Sequence, residues 1–206
     1  MSIVTLNDRA VRSVSAFGSV SGGSMVFIKK LTASSSGTLS FVNGASNVVL
    51  DSTYKEYLFT FKNIHPATGS THFQFNLSAD GGSNYNVTKT TTYIYATHKE
   101  DGAATNLAYS TGSDLAQGTG FQKIGDGIGN SNDECASGTL TLFNPSSTTF
   151  VKHFIANLNY LYQSPAYTQE SFVAGYGNTT SAVNAIQFKM SSGNIDAGDI
   201  CLYGIN

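Results

Sequence analysis

Residues that could carry out chemistry are not grouped by spacing in this chain. The histidines never occur as HxxxH or HxH pairs, so no two of them are preset to share a metal ion. They are His65, His72, His98 and His153. Serines are abundant, but no GxSxG turn is present and no Ser/His/Asp set can be recognised from spacing. The sequence therefore predicts no catalytic residue, and we do not expect an enzyme.

Oxygen-bearing side chains are densest between residues 126 and 134. Carboxylate and amide groups at this density could bind Ca²⁺, but the spacing fails the calcium-loop pattern because Ile128 stands where a ligand is required. We interpret the segment as a solvated hairpin loop. Cys135 and Cys201 belong to no CxxC or Cys/His motif and are expected to be reduced thiols. We expect no metal ion and no other cofactor.

The charge content and the lengths of the apolar segments argue against two classes of partner, nucleic acids and membranes. Charged residues are 12 % of the chain and the formal net charge is −2, so the basic field that attracts a phosphate backbone is missing and nucleic acid is disfavoured. No segment approaches the roughly 18 apolar residues that span a bilayer, so membrane insertion is not expected.

A tyrosine cluster is the most distinctive candidate binding feature. Tyr160, Tyr162, Tyr167 and Tyr176 fall within NYLYQSPAYTQESFVAGYG. Tyrosine combines a flat apolar ring with a hydroxyl, which suits both glycan stacking and protein interfaces. The alternative is packing in the core or between subunits.

Hydropathy alternates with a period of two along much of the chain, which is typical of half-buried strands. In KEYLFTFKN the aromatic residues Tyr57, Phe59 and Phe61 share one face. THFQFNL (71–77) and AIQFKM (185–190) repeat this pattern. Further strands are predicted at 25–30, 38–42, 91–96, 139–143, 149–157 and 199–205, whereas 98–137 is predicted to form long loops.

No segment has the apolar spacing of a helix, because Thr, Ser, Asn and Gly interrupt every candidate. We therefore predict an all-β fold, an antiparallel β-sandwich of jelly-roll type formed by residues 25–206. Segments 91–96 and 149–155 carry apolar residues on both faces. A lone sandwich would expose part of that surface, so we expect the body to pack against copies of itself.

Residues 1–24 differ from this body. They contain both arginines of the chain, Arg9 and Arg12, and end in a stretch rich in Gly and Ser that reads as a linker. Arginine suits bidentate pairing across an interface, so we interpret the segment as a docking arm; chance placement is the alternative. Asp8 and the two arginines occupy the region that a secretory signal needs to be apolar, so no export signal is expected.

Four segments together resemble a group of virion proteins common in marine and cyanobacterial bacteriophages. They are YKEYLFTFKNIHPAT (54–68), GSNYNVTKTTTY (82–93), FNPSSTTFVKHFI (143–155) and VAGYGNTTSAVNAIQFKMSSGNIDAGDICLYGI (173–205). The most specific part is SSGNIDAG followed by a short apolar ending. The resemblance covers most of the body and transfers no catalytic residue.

The resemblance implies a structural component of a phage particle, made in the host cytoplasm and located in the virion. The first hypothesis is a tail-fibre or baseplate appendage that docks through its arm and contacts other virion proteins, with a host surface glycan as a further candidate partner. The alternatives are a capsid decoration protein and, less favoured, a tail-borne polysaccharide-degrading enzyme. Phage appendages are usually closed cyclic assemblies, so the resemblance also implies a homotrimer, with contacts from 91–96 or 149–155.

Overall fold

The computed structural model describes residues 24–163 and 166–206, and these form antiparallel strands joined by turns and loops. The strands are β1 (Met25–Ser36), β2 (Leu39–Val42), β3 (Glu56–Pro66), β4 (Thr71–Ser78), β5 (Lys89–Lys99), β6 (Thr105–Tyr109), β7 (Gln122–Ile128), β8 (Ala136–Phe143), β9 (Lys152–Tyr162), β10 (Tyr167–Gly177), β11 (Ala185–Met190) and β12 (Ile195–Ile205). The prediction of an all-β, antiparallel fold is confirmed. Arg9 and Arg12 lie outside the described residues.

The strands form one sheet that is nearly closed into a barrel. Its path runs β1-β12-β3-β8-β9-β7-β4-β11-β2, and the first and last strands of this path approach each other. The connection between β9 and β7 is a single pair, Ile128 with Tyr162. β9 also pairs with β10, which continues the sheet outward through β5 to β6.

The apolar residues that alternate with polar ones along the predicted strands form the buried inner face of the sheet. Tyr57, Phe59 and Phe61 of β3 are buried, as are the apolar positions predicted for β4 and β11. The core is strongly aromatic. The ring of Phe188 lies 5.2 Å from that of Phe61 and 5.9 Å from that of Phe73, so it joins β3 to the opposite part of the sheet.

Two predictions about local structure are wrong. The region 98–137 contains β6 and β7 rather than long loops throughout. Glycine has a structural role in β7. Gly127 adopts a φ of 71° at an irregularity of the strand, where the register of β7 with β4 shifts. β10 was not predicted because its inner face carries the buried polar residues Gln169 and Ser171, which obscure the alternation.

Candidate functional site

The candidate site is the outer face of the strand run β6-β5-β10-β9-β8-β3-β12-β1, the side that faces away from the core. Large apolar side chains on this face remain 41–73 % exposed. They are Phe27, Ile94, Leu107, Tyr109, Ile155 and Phe172. We call this surface the outer apolar face.

Strand register places five of these six side chains in two adjacent rows, and Leu107 lies in a third, beside Ala96. One row crosses seven strands and consists of Phe27, Tyr203, Leu58, Thr141, Ile155, Ala174 and Thr92. The next row consists of Lys30, Cys201, Thr60, Thr139, Asn157, Phe172, Ile94 and Tyr109. Apart from Lys30 at the β1 end, both rows contain only apolar, hydroxyl, thiol and amide groups, so their central part presents no charge.

A groove of about 480 Å³ opens where β5, β10 and β9 meet. Its walls are formed by Phe143, Ile155 and Thr92, and small Ala174 contributes to its lining. The rings of His153 and Tyr176 lie 5.9 Å apart and also line it. The groove therefore adds a concave, mainly apolar feature to the outer apolar face.

Charged residues flank these rows on the same side of the sheet: Lys62 on β3, Glu170 on β10, and the pair formed by Lys30 and Asp199 on β1 and β12. The Nζ of Lys30 is 3.5 Å from Oδ2 of Asp199, and the Thr32 hydroxyl donates to Oδ1 of that carboxylate at 2.6 Å. The hydroxyl and then the lysine charge lower the pKa of Asp199. This pair is exposed and contributes little to stability, so apolar contact dominates what the face can offer a partner.

Asp126 joins a compact polar cluster elsewhere in the molecule. The Nδ1 of His72 lies 2.6 Å from its Oδ1, and the Ser113 hydroxyl donates to its Oδ2 at 2.8 Å. Burial opposes ionisation of this carboxylate, but the hydrogen bonds from His72 and Ser113 bring its pKa down to about 2.

This cluster does not have the order of a hydrolytic triad. A triad needs the histidine between the serine and the carboxylate, so that the imidazole can take the serine proton. Here the carboxylate stands between Ser113 and His72. The arrangement therefore orients side chains and does not activate the Ser113 hydroxyl.

Two of the three carboxylates in the 126–134 segment have internal partners, whereas Asp133 is exposed. Glu134 is buried and its Oε2 accepts the backbone N–H of Ser131 at 2.6 Å, while Asp126 is engaged as above. Within residues 24–163 and 166–206, no group of three or more His, Cys, Asp or Glu side chains is arranged to hold a metal ion. Cys135 and Cys201 are free thiols.

The four tyrosines of the predicted cluster lie in different environments. Tyr160 is only 2 % exposed and packs in the core, so for this tyrosine the alternative of core packing holds and the candidate binding role does not. Its hydroxyl bonds to the Tyr93 hydroxyl, to the amide of Gln169 and to the backbone N–H of Asp126. Tyr162 and Tyr167 stack on each other with centroids 4.7 Å apart, and Tyr176 lines the groove.

In the described part of the chain, no helix is long and apolar enough to cross a membrane. No family model, no curated protein and no solved structure matches this chain. The outer apolar face was anticipated only at 91–96 and 149–155; its extension to β1, β6 and β12 depends on strand order, which periodicity does not encode.

Proposed function

We propose that this chain is a structural protein of a bacteriophage particle, an appendage of the tail-fibre or baseplate type. In this proposal residues 1–24 dock onto other virion proteins and residues 25–206 form the projecting body. The outer apolar face is the observation that carries the assembly part of the proposal. The sequence resemblance supports the phage part.

The occupant we propose for the outer apolar face is a second copy of the same chain, in a closed homotrimer. Exposed apolar surface that is continuous over several strands is unusual in a monomer and marks interaction sites. Its rows are neutral except for Lys30, which favours a partner with few charges, and an identical chain with 12 % charged residues provides one. Cyclic closure would bury the surface and leave no open edge of the assembly.

We also propose that the body is a jelly roll with inserted strands. With β5, β6, β9 and β10 set aside, the remaining pairings form two runs, β1-β12-β3-β8 and β2-β11-β4-β7. Numbered along the chain, these eight strands give the orders 1-8-3-6 and 2-7-4-5. Most consecutive strands alternate between the runs, as in a fold of two Greek keys. In this description β5, β6, β9 and β10 widen one sheet and extend its outer face.

The experiment that tests docking uses purified particles. Deleting residues 1–24 should leave a folded body and abolish its incorporation, because this segment lies before β1 and contains both arginines. Arg9→Ala with Arg12→Ala should reduce incorporation in the same direction. Quantitative gel densitometry of particles measures the effect, and Lys55→Ala with Lys99→Ala is the control that removes two cations of the body.

Normal incorporation of the truncated chain would contradict the docking role of the arm. Copy number in wild-type particles distinguishes the two virion hypotheses. A few to some dozens of copies fits a tail appendage, whereas hundreds of copies would identify a capsid decoration protein and overturn the appendage proposal.

A further inference from the structure

Lys89 is a lysine in an unusual position, since its side chain is fully buried at the start of β5. Its Nζ donates to the side-chain oxygen of Asn76 and, at 2.8 Å, to the carbonyl of Val87. Both acceptors are neutral. A buried ammonium without a carboxylate is costly, and burial lowers the pKa of Lys89 to about 7. A large share of this side chain is therefore the neutral amine near neutral pH, and a neutral amine is a nucleophile.

The carboxamide of Asn76 is held in one orientation beside this amine. Asn76 is fully buried on β4. Its Nδ2 donates to the carbonyls of Tyr85 at 2.6 Å and Thr119 at 2.9 Å, and its Oδ1 accepts the backbone N–H of Leu77 at 2.9 Å. The oxygen therefore faces Lys89. An N–H donor on the oxygen polarises the C=O bond toward nucleophilic attack.

We infer that Lys89 and Asn76 form an intramolecular isopeptide bond. The lone pair of Lys89 Nζ attacks Cγ of Asn76, so that an Nζ–Cγ bond forms and the Cγ–Nδ2 bond breaks. A proton passes from Nζ to Nδ2, which leaves as ammonia. No electrons are gained or lost overall, and no co-reactant is required. The product removes the buried charge and links β4 to β5 covalently.

Lys152 provides an internal comparison. It is also fully buried, and burial lowers its pKa. Its Nζ, however, donates to the backbone carbonyls of Phe150 at 2.6 Å and Thr179 at 3.1 Å. Neither contact offers a carboxamide that could release ammonia, so Lys152 shares the burial of Lys89 without the reaction.

The bond would close the irregular segment between β4 and β5. Residues 79–88 contain no regular strand and include Gly81 and Gly82, both at positive φ. A covalent tie across such a segment restricts the unfolded chain, as a disulfide does. The inference does not depend on the proposed virion function, since it concerns chemistry within one chain.

The experiment is intact-mass spectrometry of the denatured full-length protein, followed by peptide mapping. The expected mass is lower than the sequence mass by about 17 Da, the mass of one ammonia. The fraction with this deficit should increase during incubation near pH 9, where more of the amine is neutral. Trypsin should fail to cleave after Lys89, and a branched peptide containing Asn76 and Lys89 should appear.

Two variants separate this bond from other losses of ammonia. A succinimide at Asn43–Gly44 would give the same deficit, but it would persist in Lys89→Arg, whereas the isopeptide bond would be lost. Lys152→Met should keep the deficit. The wild-type measurement requires no variant to fold, so a wild-type chain that retains the full sequence mass after incubation overturns the inference. A deficit that survives Lys89→Arg also overturns it.

Discussion

Strands β5, β10 and β9 carry apolar residues on both faces, but only those of the inner face are buried. The inner residues Tyr93, Phe154 and Val173 are at most 1 % exposed. Their outer neighbours Ile94, Ile155 and Phe172 are 41–57 % exposed. Residue type does not distinguish the faces. What differs is that β4, β7 and β11 pack across the inner face, so the outer face is the one left for a second molecule.

The sharpest test of this difference replaces adjacent residues of β9. Phe154→Ala should reduce the free energy of unfolding by about 3–5 kcal/mol, because it leaves a cavity in a packed core. The Phe154 ring lies 5.0 Å from that of Phe75 in an edge contact. Ile155→Asp should instead leave a folded body and convert the proposed trimer to a monomer. Denaturant unfolding measures the first effect and light scattering the second.

Ser52→Asp is the matched control, since it adds a charge at an exposed loop residue and should preserve the mass of the assembly. The distinction between the two faces is wrong if Ile155→Asp destabilises the fold as much as Phe154→Ala does. It also fails if Ile155→Asp and wild type have the same mass in solution.

Sequence reasoning predicted the inner face well where aromatic residues alternate with polar ones, as in Tyr57, Phe59 and Phe61. It failed on β10, because Gln169 and Ser171 point inward there. These residues satisfy buried groups: the Ser171 hydroxyl donates to the carbonyl of Ile124 at 2.5 Å, and the Gln169 amide donates to the Tyr160 hydroxyl. Such partners lie on other strands, so hydropathy along one strand cannot reveal them.

The candidate face was predictable only in part for a related reason. Alternation at 91–96 and 149–155 identified strands with two apolar faces. The rows that extend to Phe27 and Tyr109 arise from pairings between segments far apart in the chain. The same limit applies to Lys89 and Asn76, whose contact depends on the path of the chain between β4 and β5 and not on any spacing motif.

A smaller effect is expected from the polar cluster around Asp126. The exposure of this side chain, 26 %, lies between that of the buried inner face and that of the outer apolar face. Folding lowers its pKa from 3.8 to about 2, so the folded state binds its proton less tightly than the unfolded state. The resulting stabilisation is complete above about pH 5 and is lost as the pH falls toward 2. Asp126→Asn should therefore lower the free energy of unfolding near neutral pH by about 2 kcal/mol.

Unfolding curves of wild type and Asp126→Asn between about pH 2 and pH 7 measure this contribution. The two proteins should converge in stability as the pH falls through the window from about 5 to 2. A stability gap that stays constant over this range would mean that Asp126 acts through packing and not through its charge.

The smallest effect should be that of salt on the assembly, and it follows from the composition of the outer apolar face. Salt screens interactions between exposed charges, with a Debye length of about 3 Å at 1 M. The two central rows of the face contain one charged residue, Lys30 at their β1 end, and its partner Asp199 lies on β12. Apolar burial is not screened and is strengthened by excluded salts. Light scattering at low salt and at about 1 M NaCl should therefore give the same mass, that of the proposed trimer. Dissociation by NaCl would mean that charges hold the subunits together and that another surface forms the contact.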